Sequence, residues 1–147
     1  MDTRLLGPIT SVALAIGKMA YRQYRAYRDT AKLVRSWAAY NYAGRELVPM
    51  AGSSVTIISA SFPWSYTLKV YGRDFLNGIL REHDGQLELD PTSPNRGVRT
   101  VVYRDSGERT RQQVEVVGDG RMLVIYPTEP GYLKHALLPA GLLGAYQ

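Results

Sequence analysis

At 147 residues, with 45% hydrophobic and 21% charged side chains, the chain has the composition of one folded domain rather than of a disordered segment. It has no cysteine and two histidines, His83 and His135, which excludes disulfides, thiolate metal sites and cysteine nucleophiles together. The net charge of +5 is concentrated in one place: seven basic residues between Lys18 and Arg45 face Asp29 alone, while residues 46–147 carry ten basic against eleven acidic ones.

In chain order, Arg4 precedes an apolar run, "LLGPITSVALAIG", from Leu5 to Gly17. It is too short to span a membrane, which takes about 20 apolar residues, and no small-residue cleavage site follows it, so it reads as the apolar start of a helix. Thr3 is a candidate cap and Pro8 suits a first turn; the next proline is Pro49. The intervening Ala, Arg, Leu, Met and Tyr predict one long amphipathic helix over residues 1–45, bent at Gly17 and ended by Gly44.

From residue 53 the period changes to that of strands. Ser54–Ser61 and Ser65–Tyr71 are β-rich, and Asp74–His83 ("DFLNGILREH") places Phe75, Leu76, Ile79 and Leu80 at helical spacing, which predicts one short helix. A brief strand Gln86–Leu89 and a loop Pro91–Gly97 lead into Val98–Arg104, Arg109–Val117 and Met122–Tyr126, punctuated by Asp105–Glu108 and Gly118–Gly120. Alternation along these runs puts Arg99, Arg109 and Arg111 on the wet face of a sheet with one buried side. Residues 128–147 then form an apolar C-terminal extension detached by Pro127 and Pro130. The fold class expected is α+β within a single domain: a helical basic arm (1–45), an antiparallel β core (53–127) and the extension.

The segment "KMAYRQYRAYRDTAKLVR" carries the strongest functional signal. On a helix, at ~100° per residue, Lys18, Arg22, Arg25, Arg28, Lys32 and Arg35 follow one face, while Ala20, Tyr27, Ala31 and Val34 gather nearly opposite. Tyr21 falls within the cationic stripe, Tyr24 at its border and Tyr27 towards the apolar side. Such a stripe suits phosphates, with Tyr21 placed for base stacking, or an anionic membrane surface; a solvated helix face explains the charges as well.

Elsewhere the candidates are weaker. Glu82, Asp84, Glu88 and Asp90 form an acidic cluster around His83 that a helix end and strand edge explain as readily as a divalent metal does. Trp64, Tyr66 and Tyr71 suit a stacking platform or core packing. Neither histidine has a serine or acid at a catalytic spacing, and no nucleotide-loop or nucleophile-elbow motif is present, so a non-enzymatic protein without cofactor is expected. Leu133, Leu137, Leu138, Leu142 and Leu143 predict an oligomer interface.

A basic N-terminal arm, a small antiparallel core and an apolar terminal arm resemble, in layout, small virion subunits such as phage capsid, connector and tail proteins. That resemblance implies a structural subunit of a virus particle that self-assembles with copies of itself and neighbouring structural proteins, its basic helix facing an anionic partner. A nucleic-acid-binding module and a peripheral membrane-surface protein are the alternatives.

Overall fold

The structure is a computed structural model, and it describes residues 17, 18, 20–59, 66–76, 79–128 and 133–141, without the side chains of Phe75 and Leu76. The apolar run up to Ile16, the Trp64 of the expected platform, and Leu142 and Leu143 of the expected interface lie outside these residues. Eight strands run in chain order: β1 (Ser36–Ala43), β2 (Glu46–Ser59), β3 (Thr67–Leu76), β4 (Ile79–Asp90), β5 (Ser93–Tyr103), β6 (Arg109–Val117), β7 (Met122–Pro127) and β8 (His135–Pro139). Each pairs antiparallel with the next, and β8 returns to β1, so the sheet is a closed up-and-down barrel. One helical segment, α1 (residues 20–31), precedes β1.

This overturns the expected α+β fold at three places. The long helix ends at residue 31, and residues 36–43 form β1 instead. The alanines of "SWAAYNYA" favour helix, but Trp37 and Ala39 alternate inward, and without this strand β2 and β8 would be left as open edges. The expected short helix Asp74–His83 is the end of β3 and the start of β4, with Asp74 opposite Arg81 and Leu76 opposite Ile79. The sequence between Leu76 and Ile79 is Asn-Gly, the composition a two-residue hairpin favours over a helix. Finally, residues 135–139 of the expected extension are β8, paired with β7 on one side and β1 on the other.

Period-two alternation then sorts the chain into an inside and an outside. In β6, Thr110, Gln112, Val114 and Val116 are buried while Arg109, Arg111, Gln113 and Glu115 are exposed. The apolar core combines Trp37, Val55, Ile57, Leu68, Val70, Leu87, Leu89, Leu123, Ile125 and Leu137 with Leu33, which follows α1. Neighbouring strands approach closely at three glycines: a Cβ on Gly72 would lie 2.1 Å from the Ser54 carbonyl oxygen, one on Gly85 1.9 Å from that of Thr100 and one on Gly97 2.5 Å from that of Glu88.

The helix closes one end of the barrel. Leu33 is fully buried and its carbonyl accepts from Trp37 Nε1 at 3.1 Å. Lys32 Nζ reaches Asp119 in the β6–β7 turn at 2.6 Å, and Tyr66 Oη, just before β3, donates to Asp29 at 2.9 Å. The opposite end carries the β1–β2, β3–β4, β5–β6 and β7–β8 connections. Lys134, ahead of β8, stacks there on Tyr42 of β1 at 4.7 Å and on Tyr126 of β7 at 5.1 Å.

Trp37→Ala is expected to cost about 3–5 kcal/mol through the cavity it leaves, and Gly72→Ala about 1–3 kcal/mol through forced separation of β2 and β3. Urea denaturation followed by circular dichroism checks both: each midpoint falls with little change in the slope.

Candidate functional site

The barrel interior has two unlike ends. Next to α1 it is filled by aliphatic side chains and Trp37. Towards the open connections the inward positions are instead Asp74 (β3), His83 (β4), Arg99 and Tyr103 (β5), Thr110 and Gln112 (β6) and His135 (β8), all buried. Register brings them together: Gly72 lies opposite His83, His83 opposite Tyr103, Arg99 opposite Gln112 and Val101 opposite Thr110.

Arg99 is the hub. Its side chain is 2% exposed, and its Nη2 donates to Asp74 Oδ2 at 3.1 Å, forming an ion pair inside the barrel. Both Nε, at 2.8 Å, and Nη2 donate to Oε1 of Gln112. The expectation that Arg99 faces water with Arg109 and Arg111 is therefore wrong for Arg99 alone. Val101-Val102 makes both parities of β5 apolar in the sequence, so alternation could not say which side was inside.

The two histidines, 52 positions apart in the chain, belong to the same cluster, since the charges of Asp74 and Arg99 act on both. Burial first, and the Arg99 guanidinium second, push His83 from 6.5 to about 4, with Asp74 offsetting part of the shift. His135 is lowered for the same leading reason. His135 Nδ1 lies 3.0 Å from the Leu133 carbonyl, which accepts only, so this nitrogen carries the proton and Nε2 presents a bare lone pair. His83 packs edge-on against Tyr103, with ring centroids 6.3 Å apart.

Among the described residues, several buried polar atoms in this cluster have no hydrogen-bond partner: Arg99 Nη1, Gln112 Nε2, Thr110 Oγ1 and His135 Nε2. Each such atom costs about 1–3 kcal/mol, and an Arg–Asp pair taken out of water is worth no more than apolar side chains of the same volume. The cluster is thus a poor way to stabilise a barrel. At its rim, Arg81 stacks on Tyr103 at 4.5 Å and binds Asp105 in the β5–β6 turn through Nη2 at 2.6 Å and Nε at 2.9 Å. That bond holds the Asp105 carboxyl below its ordinary range.

The residues singled out from the sequence lie elsewhere. Lys18, Tyr21, Arg22, Arg25 and Arg28 are exposed on or beside α1, with Arg25 stacked on Tyr21 at 5.9 Å and Arg28 3.8 Å from Asp29. Lys32 is bonded to Asp119, and Arg35, past the helix end, lies over Trp37 at 5.8 Å. Glu82, Asp84, Glu88 and Asp90 alternate along the outer side of β4. Asp84 pairs with Arg104, Glu88 accepts from Gln86 and Asp90 accepts from Thr92. Among the described residues no group of three or more metal-type ligands converges. Of the residues expected at an oligomer interface, Leu137 is in the core and Leu138 in the wall of β8, while Leu133 stands 73% exposed. Tyr66 ties β3 to α1, and Tyr71 is on the outer wall.

Sequence reasoning missed Asp74, Arg99, Thr110 and Gln112 altogether. The available signal was composition: polar residues at inward parity in runs that otherwise alternate apolar and polar. Comparison with known family models, with curated proteins and with solved structures finds no match in any of the three, so the cluster's chemistry carries the functional reading.

Replacing Arg99 by Met is expected to cost about 3–5 kcal/mol, because the buried Asp74 carboxylate loses its countercharge, whereas Asp74→Leu/Arg99→Met recovers most of that loss. A double-mutant cycle from urea midpoints measures this. The pH dependence has a definite sign. Below pH 6.5 the unfolded chain protonates His83, but the fold refuses the proton until about pH 4. The contribution of neutral His83 is complete above pH 6.5 and is lost between 6.5 and about 4, by about 3 kcal/mol. Denaturation midpoints at pH 7 and pH 4.5 should differ by less in His83→Gln than in the natural chain.

Proposed function

We propose that this protein binds a small, uncharged organic molecule in the polar end of its barrel. The observation that carries the reading is the buried Asp74–Arg99–Gln112 chain, surrounded by unpartnered donors and acceptors inside an otherwise apolar barrel. Eight-stranded barrels have interiors that side chains just fill or that hold one small ligand, and a pocket with a few convergent polar groups and shifted pKa values is a default binding site.

The charge inventory argues for an uncharged ligand. Asp74 and Arg99 cancel, and burial keeps both imidazoles neutral, so a carboxylate or ammonium entering the cluster would find no net countercharge. Arg99 Nη1 and Gln112 Nε2 are donors suited to a carbonyl or ether oxygen, while His135 Nε2 is an acceptor suited to a hydroxyl. The ligand class that satisfies them has an apolar body bearing an oxygen acceptor and a hydroxyl donor. Arg81, stacked on Tyr103 and tied to the β5–β6 turn, forms part of the entrance that such a molecule passes.

The test uses the two histidines as reporters, since the chain has no others. Imidazole resonances are recorded while the full chain is titrated with matched uncharged and anionic probes, such as 2-naphthol and 2-naphthoate, within a wider set of hydroxylated and carbonyl-bearing ring compounds. Uncharged members are expected to move both imidazole signals, and the stable Asp74→Leu/Arg99→Met variant to lose the response. If no compound moves either signal, or the double variant responds unchanged, the reading is wrong.

A further inference from the structure

The helix that closes the barrel uses little of its surface to do so. Between residues 20 and 31, Ala26 and Thr30 are buried, and Leu33 continues their line into the core. Asp29 is tied to Tyr66 of the barrel, and most of the rest of α1 is exposed and carries two stripes. Lys18, Arg22, Arg25 and Arg28 recur at spacings of four, three and three residues, so they share a face. Ala20, Tyr24, Tyr27 and Ala31 recur at four, three and four, and form a second, apolar and aromatic face beside the first.

The second stripe is not docked on the barrel. Tyr24 and Tyr27 are 59% and 55% exposed, Tyr21 between the stripes is 60% exposed, and Val34 just past the helix is also exposed. Among the described residues, Lys18, Arg22 and Arg25 have no carboxylate within 4.0 Å; Arg28 has a weak contact with Asp29, and Lys32 is engaged by Asp119. The sequence repeats the apolar spacing upstream at Ile16, Ala13 and Ile9. A surface with cations along one side and tyrosines along the other, exposed on both among the described residues, suits a partner that takes both.

We infer that α1 docks the barrel onto an anionic lipid surface, lying in the plane of the interface. Cations on such a helix are drawn to acidic headgroups, and tyrosines settle at headgroup level with their rings towards the acyl boundary. A nucleic acid would neutralise the cationic stripe and leave the Ala20–Tyr24–Tyr27–Ala31 stripe in water, which makes it the poorer fit. The end of the barrel opposite α1 stays clear of the surface. The inference does not depend on what the barrel holds.

The experiment is co-sedimentation of the full chain with vesicles of phosphatidylcholine alone and of phosphatidylcholine mixed with phosphatidylserine. Binding to the mixed vesicles is expected to weaken with added salt and to be far weaker on the neutral ones. Lys18→Gln/Arg22→Gln/Arg25→Gln should reduce partitioning roughly a hundredfold, at roughly fivefold per cation. Tyr24→Ser/Tyr27→Ser should leave the salt-sensitive attraction and abolish the part that survives high salt. All five positions are exposed, so circular dichroism of both variants should match the natural chain. Absence of sedimentation with the mixed vesicles, equal binding to neutral ones, or indifference to either variant overturns the inference. So does a preference for single-stranded oligonucleotide over vesicles in direct competition.

Discussion

The pairing of Trp37–Asn41 with His135–Pro139 is the constraint on which the rest depends. Until β8 lies along β1, seven hairpin-connected steps leave a curled sheet with two open edges and one continuous surface on each side. Once those strands pair, the sheet has an inside, and every inward side chain loses water at a stroke. The apolar half of the interior then supplies the driving force, with Leu33 and Trp37 closing the end where the chain enters. Glycines at positions 72 and 85 allow the strand approach that the closed sheet demands.

Closure also makes the polar end of the interior costly, and this gives it meaning. In an open sheet Arg99 or His83 would be solvated; inside the barrel Arg99 must be matched by Asp74 and Gln112, and His83 stays neutral. A barrel selected for stability alone would replace these side chains with aliphatic ones, as it does a few positions along the same strands at Val70, Leu87 and Val114. The partners hold Arg99 through Nε and Nη2, and among the described residues Nη1 has no hydrogen-bond partner, so the network is incomplete.

The two ends of the molecule therefore offer different chemistry. At one, an ion pair and two neutral imidazoles are packed inside the barrel; at the other, α1 displays fixed positive charge and aromatic rings to the outside. Lys32–Asp119 and Tyr66–Asp29 link them, because both fasten the helix by polar contacts at its rim and spare the tyrosines and most of the arginines from packing. The buried cluster and the exposed face of α1 share no side chain.

Much of the β structure was legible. β6 and β7, with the turns that flank them, follow from strict alternation and from Gly and Asp at the corners, and the cationic face of α1 follows from spacing alone. Residues 36–43 were not legible, since alanine and tyrosine suit helix or strand and the surroundings decided. Asp74–His83 misled because Phe75, Leu76, Ile79 and Leu80 mimic a helical period across what is in fact a hairpin. Taken alone, the sequence determines local quantities: where charge is concentrated, which residues share a helix face, where turns must fall. Which apolar stripe of α1 packs and which remains in water, which arginine of three enters the core, and that His83 and His135 meet one ion pair were decided by tertiary structure. The physical reason is that inside and outside are set by register and closure between residues far apart in the chain, such as Asp74 and Arg99, 25 positions apart, and no local pattern encodes that pairing.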